Sequence, residues 1–157
     1  MQTGVEAGGN GPQRPSGAFV GASWAAMVTG LAAYLIGLWN AEMQLNEKGY
    51  YLALLLYGSF AAVSLQKTLR DRAEGQPVTG MYMGLCWLSL GGAVLLLAVG
   101  LVNANLSLSE KGFYAMAFVL GMFAITTVQK NVRDLAASDR QQALRVSDAV
   151  LGAEGRG

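Results

Sequence analysis

Four long stretches of this chain carry no charged side chain. They comprise residues 15–41, 49–66, 75–109 and 112–129. A helix rises about 1.5 Å per residue, so roughly 20 apolar residues cross a hydrocarbon core about 30 Å thick. All four stretches reach or nearly reach this length. The pattern predicts an all-α integral membrane protein with four transmembrane helices.

The composition supports lipid as the medium around these stretches. Hydrophobic residues make up 53% of the chain and charged residues 13%, about half the charged share of an ordinary soluble domain. A soluble bundle of apolar helices is the alternative, but a soluble helix needs a polar face. Ala53–Phe60 (ALLLYGSF) and Ala93–Gly100 (AVLLLAVG) have no such face, and we therefore favour the membrane.

The second half of the chain repeats the first at a constant offset, so that Gly37 aligns with Gly100 and Asp71 with Asp134. Between Gly37–Asp71 and Gly100–Asp134, 16 of 35 positions are identical. Each copy consists of a helix, a short polar turn, a second helix and a basic exit. Because each copy holds two helices, both copies enter the membrane from the same side, which predicts two tandem parallel-repeat helical hairpins. An up-down bundle is the default packing for four such helices.

The repeat also predicts how the whole chain is organised. We expect a disordered N-terminus at 1–17, a first two-helix membrane repeat at 18–71, a linker at 72–79, a second two-helix repeat at 80–134 and a tail at 135–157. The Gly-rich composition of the first segment underlies the expected disorder. For the tail, a short helix lying on the membrane surface and a disordered segment stay open as alternatives.

The positive charges predict the orientation. Nine of the eleven Lys and Arg residues lie at the ends that carry the termini and the linker, whereas only Lys48 and Lys111 lie in the turns within the copies. Because cytoplasmic segments of membrane proteins are enriched in Lys and Arg, both termini and the linker are expected in the cytoplasm.

Small residues predict close contacts between helices. A seam of them follows the first helix at Ala22, Ala26, Gly30, Ala33 and Gly37, and matched pairs occur at Gly58/Ala61 and Gly121/Ala124. Helix association in lipid depends on close backbone packing, because lipid removes the hydrophobic drive between helices. Whether the seam packs within one chain or between chains stays open, with the first favoured. Tyr51 and Tyr114 are expected in an interfacial aromatic belt.

The two polar turns contain the motif Glu-Lys-Gly, at residues 47–49 and 110–112, and we call them the EKG turns. In the favoured interpretation each turn begins a helix. Asn46 and Ser109 would cap it, the glutamate would face the positive end of the helix dipole, the lysine would reach lipid headgroups, and the glycine would admit another backbone. The alternative is a symmetric cation or proton site. The candidate residues of this outer-turn site are Asn40, Glu47, Lys48, Asn103, Glu110 and Lys111.

The basic exits share the pattern Gln-Lys-x-x-Arg-Asp. Lys and Arg in the last turn of a helix favour the negative end of its dipole. They also attract anionic lipid headgroups at the cytoplasmic face. We favour this anchoring role over a specific substrate or regulatory role, and pairing across the pseudo-twofold axis is a further expectation. The candidate anchor residues are Gln66, Lys67, Arg70, Asp71, Gln129, Lys130, Arg133 and Asp134.

Several classes of function find no support in the sequence. The net charge of +1 indicates no nucleic-acid partner, and histidine, a common metal ligand and general base, is absent. Cys86 is the only cysteine, and no phosphate loop or nucleophile–base set is present. The uncharged stretches contain no ionisable Asp, Glu, Lys or Arg, which usually mark ion pathways. We expect no catalytic residue, no metal, no cofactor and no enzyme activity.

The segments GLWNAEMQLNEKGYY and QKTLRD, with the second copies GLVNANLSLSEKGFY and VQKNVRD, carry a resemblance to a known family. Over roughly residues 23–134 the chain resembles the YiaA/YiaB family of bacterial inner-membrane proteins. The resemblance implies a domain of two transmembrane helices with a distinctive linking section, here present twice, in the bacterial inner membrane. The second copy departs at Val102 and Asn105, where the first has Trp39 and Glu42. The resemblance does not indicate which biochemical activity the protein has.

Two functions stay open after this reasoning. The favoured hypothesis is a non-enzymatic inner-membrane component that acts through assembly, as a homo-oligomer or with a membrane protein partner, in an assembly or envelope-adaptation role. The alternative is a carrier of a small solute or ion, with a vestibule at the EKG turns.

Overall fold

The computed structural model describes residues 14–154, so most of the N-terminal segment expected to be disordered lies outside the described residues. Four helices account for the described part of the chain: α1 (Gly17–Asn40), α2 (Leu45–Ala73), α3 (Gly80–Asn103) and α4 (Leu108–Glu154). Each of them is long and apolar enough to cross a membrane, and residues 14–154 contain no strand. The predicted all-α membrane protein with four spanning helices is confirmed.

The helices of one copy pack mainly against those of the other copy. α1 packs along α4 and α3 packs along α2, while α2 and α4 contact each other in the middle of the molecule. Direct contact between α1 and α2, or between α3 and α4, is slight. The default up-down bundle leaves open which helices touch, and the structure supplies these contacts: the two hairpins interlock across the pseudo-twofold axis.

Glycines allow the interlocked helices to approach closely. A Cβ added to Gly30 on α1 would lie 3.0 Å from the backbone nitrogen of Gly121 on α4. A Cβ on Gly37 would lie 2.8 Å from the ring of Phe113, and one on its equivalent Gly100 would lie 2.7 Å from the ring of Tyr50. The predicted small-residue seam thus packs within the chain at Gly30 and Gly37, because α4 covers it there.

Aromatic side chains fill the core at the end that carries the EKG turns, which we call the EKG end. The equivalent residues Tyr51 and Tyr114 stack with ring centroids 6.1 Å apart, and both are buried. The Tyr34 hydroxyl donates a hydrogen bond of 3.0 Å to the Tyr51 carbonyl. The predicted placement in an interfacial belt is wrong for Tyr51 and Tyr114, because the interlocked packing turns both rings onto the pseudo-twofold axis.

Two equivalent polar contacts join the helices at the opposite end, which carries the termini and the linker and which we call the terminal end. The Asn131 amide donates to the Ser23 hydroxyl at 3.0 Å, joining α4 to α1. The Thr68 hydroxyl lies 3.5 Å from the Cys86 sulfur, joining α2 to α3. These side chains are buried, and the offset between the copies relates one pair to the other. Both contacts hold the same interlocked arrangement.

α4 continues well beyond the second basic exit. The helix does not end near Asp134 but extends to Glu154, and its extension from residue 135 onward would span about 30 Å. The tail is therefore helical up to Glu154, as a continuation of α4 and not as a separate short helix, and the disordered alternative is wrong for 135–154. Residues 155–157 lie outside the described part.

We expect Gly30→Ala to destabilise the protein, because the new Cβ would press on the α4 backbone, which cannot move aside as a flexible side chain can. Overpacking of this kind costs about 1–3 kcal/mol. Gly21→Ala on the same helix is the matched control, since no atom lies within 4 Å of its Cβ position. Thermal unfolding in detergent should show a lower midpoint for Gly30→Ala alone. Equal midpoints for the two variants would contradict the close α1–α4 contact.

Candidate functional site

The EKG turns cap the helices that follow them. The Glu47 carboxylate accepts a hydrogen bond of 2.8 Å from the backbone N–H of Gln44, and the Glu110 carboxylate accepts one of 2.8 Å from that of Ser107. The Ser107 hydroxyl also donates to Glu110, at 2.7 Å. The predicted caps at Asn46 and Ser109 are therefore wrong by two residues, because each glutamate reaches back to the chain before its helix.

The Ser107 contacts also affect the acidity of Glu110, which lies outside the uncharged stretch at 112–129. Hydrogen bonds from the Ser107 hydroxyl and backbone lower the pKa of the Glu110 carboxyl below its usual range. A carboxylate is the form that accepts these bonds, so they stabilise the charged form of the Glu110 cap.

The lysines of the EKG turns cap the helices that precede them. The Lys48 ammonium donates to the carbonyl of Trp39 at 2.9 Å, and the Lys111 ammonium donates to the carbonyl of Val102 at 3.1 Å. Both carbonyls lie in the last turn of a helix, where backbone acceptors lack partners. The expected reach of these lysines into headgroups stays a prediction. No atom lies within 4 Å of a Cβ placed on Gly49 or Gly112, so the expected approach of another backbone is wrong.

Asn40 and Asn103 bind their own helices through their amide nitrogens. The Asn40 amide donates to the Ile36 carbonyl at 2.8 Å, and the Asn103 amide donates to the Val99 carbonyl at the same distance. Each side chain keeps its Oδ1 as an acceptor for another group.

A cavity of about 260 Å³ opens at the EKG end between the start of α2 and the end of α3. It brings together Glu47 and Asn103 from the predicted set, one from each copy. The other predicted residues, Asn40, Lys48, Glu110 and Lys111, do not line it. Its remaining wall is formed by Glu42, Met43, Asn46, Tyr50, Tyr51, Gly100, Ala104, Asn105 and Leu106.

Most residues of this wall were not predicted from the sequence. Glu42 and Asn105 occupy equivalent positions in the two connecting turns, and both line the same cavity because the turns meet near the pseudo-twofold axis. The signal that was available is the change of residue type between the copies at this position. The change from Glu42 to Asn105 gains its meaning only from the interlocked packing, which cannot be predicted from the repeat alone.

The charged side chains of the basic exits pair within their own helices. Asp71 lies 3.9 Å from the Lys67 ammonium and 3.4 Å from the Arg70 guanidinium, while Arg70 also lies 3.5 Å from Glu74. In the second copy Asp134 lies 2.7 Å from Lys130 and 3.3 Å from Arg133. The expected pairing of these groups across the pseudo-twofold axis is wrong. For α4, the expected position in a last turn is wrong too, because the helix continues to Glu154.

The two glutamines of the exits are half-buried at the terminal end. The Oε1 atoms of Gln66 and Gln129 are buried and have no hydrogen-bond partner among residues 14–154. Gln66 and Lys130 also line an apolar groove of about 370 Å³, together with Ala62, Leu65, Leu69, Leu90, Met122, Phe123, Thr126 and Thr127. The anchor set is therefore divided between a groove wall and surface ion pairs.

No metal-ligand set is found in the described residues. Within 14–154, no three His, Cys, Asp or Glu side chains are grouped so that they could hold a metal ion. The chemistry at the EKG end consists of carboxylate, amide, phenol and backbone groups, which suit hydrogen bonding and charge recognition.

Comparison with known proteins agrees with the duplicated helix pairs. The chain is 57% identical over 119 residues to the Inner membrane protein YiaA of Escherichia coli (strain K12), a match that covers 76% of this chain and 82% of that protein. It is 31% identical over 96 residues to the Inner membrane protein YiaB of the same organism, covering 61% of this chain and 81% of that protein.

A third relative comes from another bacterium. The Uncharacterized membrane protein YubF of Bacillus subtilis (strain 168) is 36% identical over 67 residues, covering 42% of this chain and 77% of that protein. No solved structure matches the chain. The yiaA/B two helix domain matches residues 19–71 and 82–134. This multi-pass inner-membrane protein therefore belongs to the yiaA/B two-helix domain family and carries the domain twice.

Proposed function

We propose that this protein is a non-enzymatic component of the inner membrane that acts by assembly, and that residues 135–151 of α4 are its docking arm. The observation that carries the proposal is an aliphatic surface on this segment with nothing packed against it in the described chain. Leu144, Val146, Val150 and Leu151 are each more than half exposed.

The docking arm differs from the exposed apolar surface of the rest of the molecule. Lipid covers the uncharged stretches of the four helices, so their exposed leucines and valines need no protein partner. The arm instead carries Asp139, Arg140, Arg145 and Asp148 among its apolar residues. Charged groups at this density favour water over hydrocarbon. Aliphatic side chains in water are stabilised when another surface buries them.

The aliphatic residues at the end of the docking arm form two rows about 130° apart around the helix. Val146 and Val150 are one helical turn apart, and Leu144 and Leu151 are two turns apart, so each pair is aligned along the helix. Together the rows occupy about half of the helix circumference, and Arg145 and Asp148 lie on the other half. This arrangement is that of an amphipathic helix suited to a groove or to another helix.

The orientation that we propose places this arm in the cytoplasm. Nine Lys and Arg residues belong to the terminal end and two to the EKG end. Lys67, Arg70, Lys130 and Arg133 are positioned to hold the terminal end against anionic headgroups, with about 1 kcal/mol for each basic group near the surface.

We expect compartment reporters to place the terminal end inside the cell, because the positive charges concentrate there. Alkaline phosphatase and green fluorescent protein are each fused after residue 75, after residue 105 and after residue 157. Fluorescence is expected at 75 and 157, and phosphatase activity at 105. Phosphatase activity at all three positions, or fluorescence at all three, would contradict the proposed orientation.

Assembly should depend on the aliphatic half of the docking arm. In native membranes treated with an amine crosslinker, the full chain is expected in a larger species. Leu144→Asn combined with Val150→Asn, which changes one residue in each row, should reduce that species at least fivefold. The reason is that polar groups in an apolar interface lose hydrogen bonds to water.

The matched control for assembly is Arg145→Gln with Asp148→Asn, which changes the polar half of the same helix and should leave the larger species in place. Circular dichroism of both variants checks that the helix persists. If the aliphatic variant assembles as well as the control, the docking-arm proposal is contradicted.

A further inference from the structure

We propose that the cavity at the EKG end is a binding site for a small organic ammonium ion. The site lies at the EKG end, away from the docking arm, so this inference stands or falls independently of the assembly proposal. Its residues come from both copies of the repeat, with Glu42, Glu47, Tyr50 and Tyr51 from the first and Asn103 and Asn105 from the second.

The charge of the wall selects a cation. Glu42 and Glu47 line the cavity and no Lys or Arg does. Lys48, the nearest base in sequence, is held at the Trp39 carbonyl and lies outside the wall. Glu47 uses Oε2 for the cap at Gln44, and Asn103 uses its amide nitrogen within α3. The acceptor atoms that remain on these two side chains suit the N–H groups of a bound ammonium.

A buried tyrosine in the wall points to a ligand independently of the carboxylates. Tyr51 is only 3% exposed, yet its hydroxyl makes no hydrogen bond within the described part of the chain. That oxygen lies 3.2 Å from the Cβ position of Gly100, which is also a wall residue. The Tyr51 ring is buried, but its hydroxyl oxygen stays accessible in the cavity that Tyr51 lines, so a ligand there would supply its hydrogen-bond partner.

The tyrosine rings add a surface that organic cations prefer. Tyr50 and Tyr51 meet edge to face with centroids 5.4 Å apart. The Tyr50 hydroxyl donates to the Leu96 carbonyl at 2.6 Å, which holds its ring beside α3. Aromatic faces attract ammonium groups through their quadrupole. Tyr114 covers one face of the Tyr51 ring, whereas Tyr50 is exposed, and an exposed ring next to two carboxylates suits an alkylammonium group more than an inorganic ion.

The size of the cavity also argues against a bare metal ion. Its volume is about 260 Å³, whereas one water molecule takes about 30 Å³ of liquid. Within residues 14–154, no three acidic or other metal-ligating side chains converge. A compact amine or diamine would fill the space and meet both carboxylates.

The other copy supplies natural control positions. Glu110 is equivalent to Glu47 and makes the same type of cap, but it does not line the cavity. Tyr114 is equivalent to Tyr51 and is buried to the same degree, and it also lies outside the wall. Substitution at Glu110 therefore reproduces the effect on a helix cap without changing the wall, and Tyr114→Phe removes the equivalent hydroxyl while keeping the ring that stacks on Tyr51.

The test measures binding of 1,4-diaminobutane and of ethanolamine to the full chain in nanodiscs of phosphatidylglycerol, by calorimetry at constant ionic strength. Saturable binding of at least one amine is expected. Glu42→Gln and Glu47→Gln should each weaken it roughly three- to tenfold, the range of a partly exposed ion pair. Tyr51→Phe should also weaken it, whereas Glu110→Gln and Tyr114→Phe should bind as the parent does.

A second arm distinguishes two sources of the ammonium group. Nanodiscs that contain phosphatidylethanolamine offer the same group on a lipid headgroup. Weaker apparent binding of soluble amines in these discs assigns the site to the headgroup, and unchanged binding assigns it to a soluble amine. Either result supports an ammonium site, because both ligands present the same group.

Three results would overturn the inference. The first is the absence of saturable binding by either amine in both lipid compositions. The second is an equal loss of binding in Glu47→Gln and Glu110→Gln, which would assign the effect to the helix caps. The third is tighter binding of Mg²⁺ that disappears in Glu42→Gln, which would make the cavity a metal site.

Discussion

Close approach of helix backbones across the two copies is the contact on which the rest of this structure depends. Lipid removes the hydrophobic drive that would hold helices together in water, so packing distance and interhelical hydrogen bonds must do so. Gly30 meets the α4 backbone at Gly121, and the buried Asn131–Ser23 hydrogen bond joins the same two helices at the terminal end. These contacts join α1 to α4, the equivalent Thr68–Cys86 contact joins α2 to α3, and α2 and α4 meet between the two pairs. In this arrangement both connecting turns line one cavity.

The number and length of the helices and their lipid surroundings could be predicted from the sequence, because each uncharged stretch by itself predicts a membrane-spanning helix. The packing partners of each helix could not be predicted, because Gly30 would allow close packing against α2, α4 or a second chain equally well. The continuation of α4 was missed although a signal exists: residues 122–151 contain neither Gly nor Pro, whereas Gly75 and Pro77 follow the first exit. The N-caps were predicted at Asn46 and Ser109 because these residue types are good caps. The helices begin earlier, because Glu47 and Glu110 accept hydrogen bonds from the backbone of Gln44 and Ser107.

Duplication followed by divergence explains how one site arises from two similar halves. Tyr50 and Glu42 have Phe113 and Asn105 as their equivalents, and the polar cavity forms beside Tyr50. Of the predicted outer-turn residues, the structure brings Glu47 and Asn103 together because the copies interlock. The sequence could not single out Glu47 and Asn103, because the equivalent positions in the other copy hold the same residue types. Only the packing shows which member of each pair lines the cavity.

Interlocking of the copies is tested most directly by a disulfide between α1 and α4, which are far apart in the sequence. The Asn131 amide lies 3.0 Å from the Ser23 hydroxyl on these two helices, so Ser23→Cys with Asn131→Cys, in a Cys86→Ser background, should form a disulfide under mild oxidation in native membranes. With a protease site inserted after Gly75, cleaved protein should stay in one piece until reductant is added. Fragments that separate without reductant, or a crosslink that forms only between two chains, would contradict the interlocked fold.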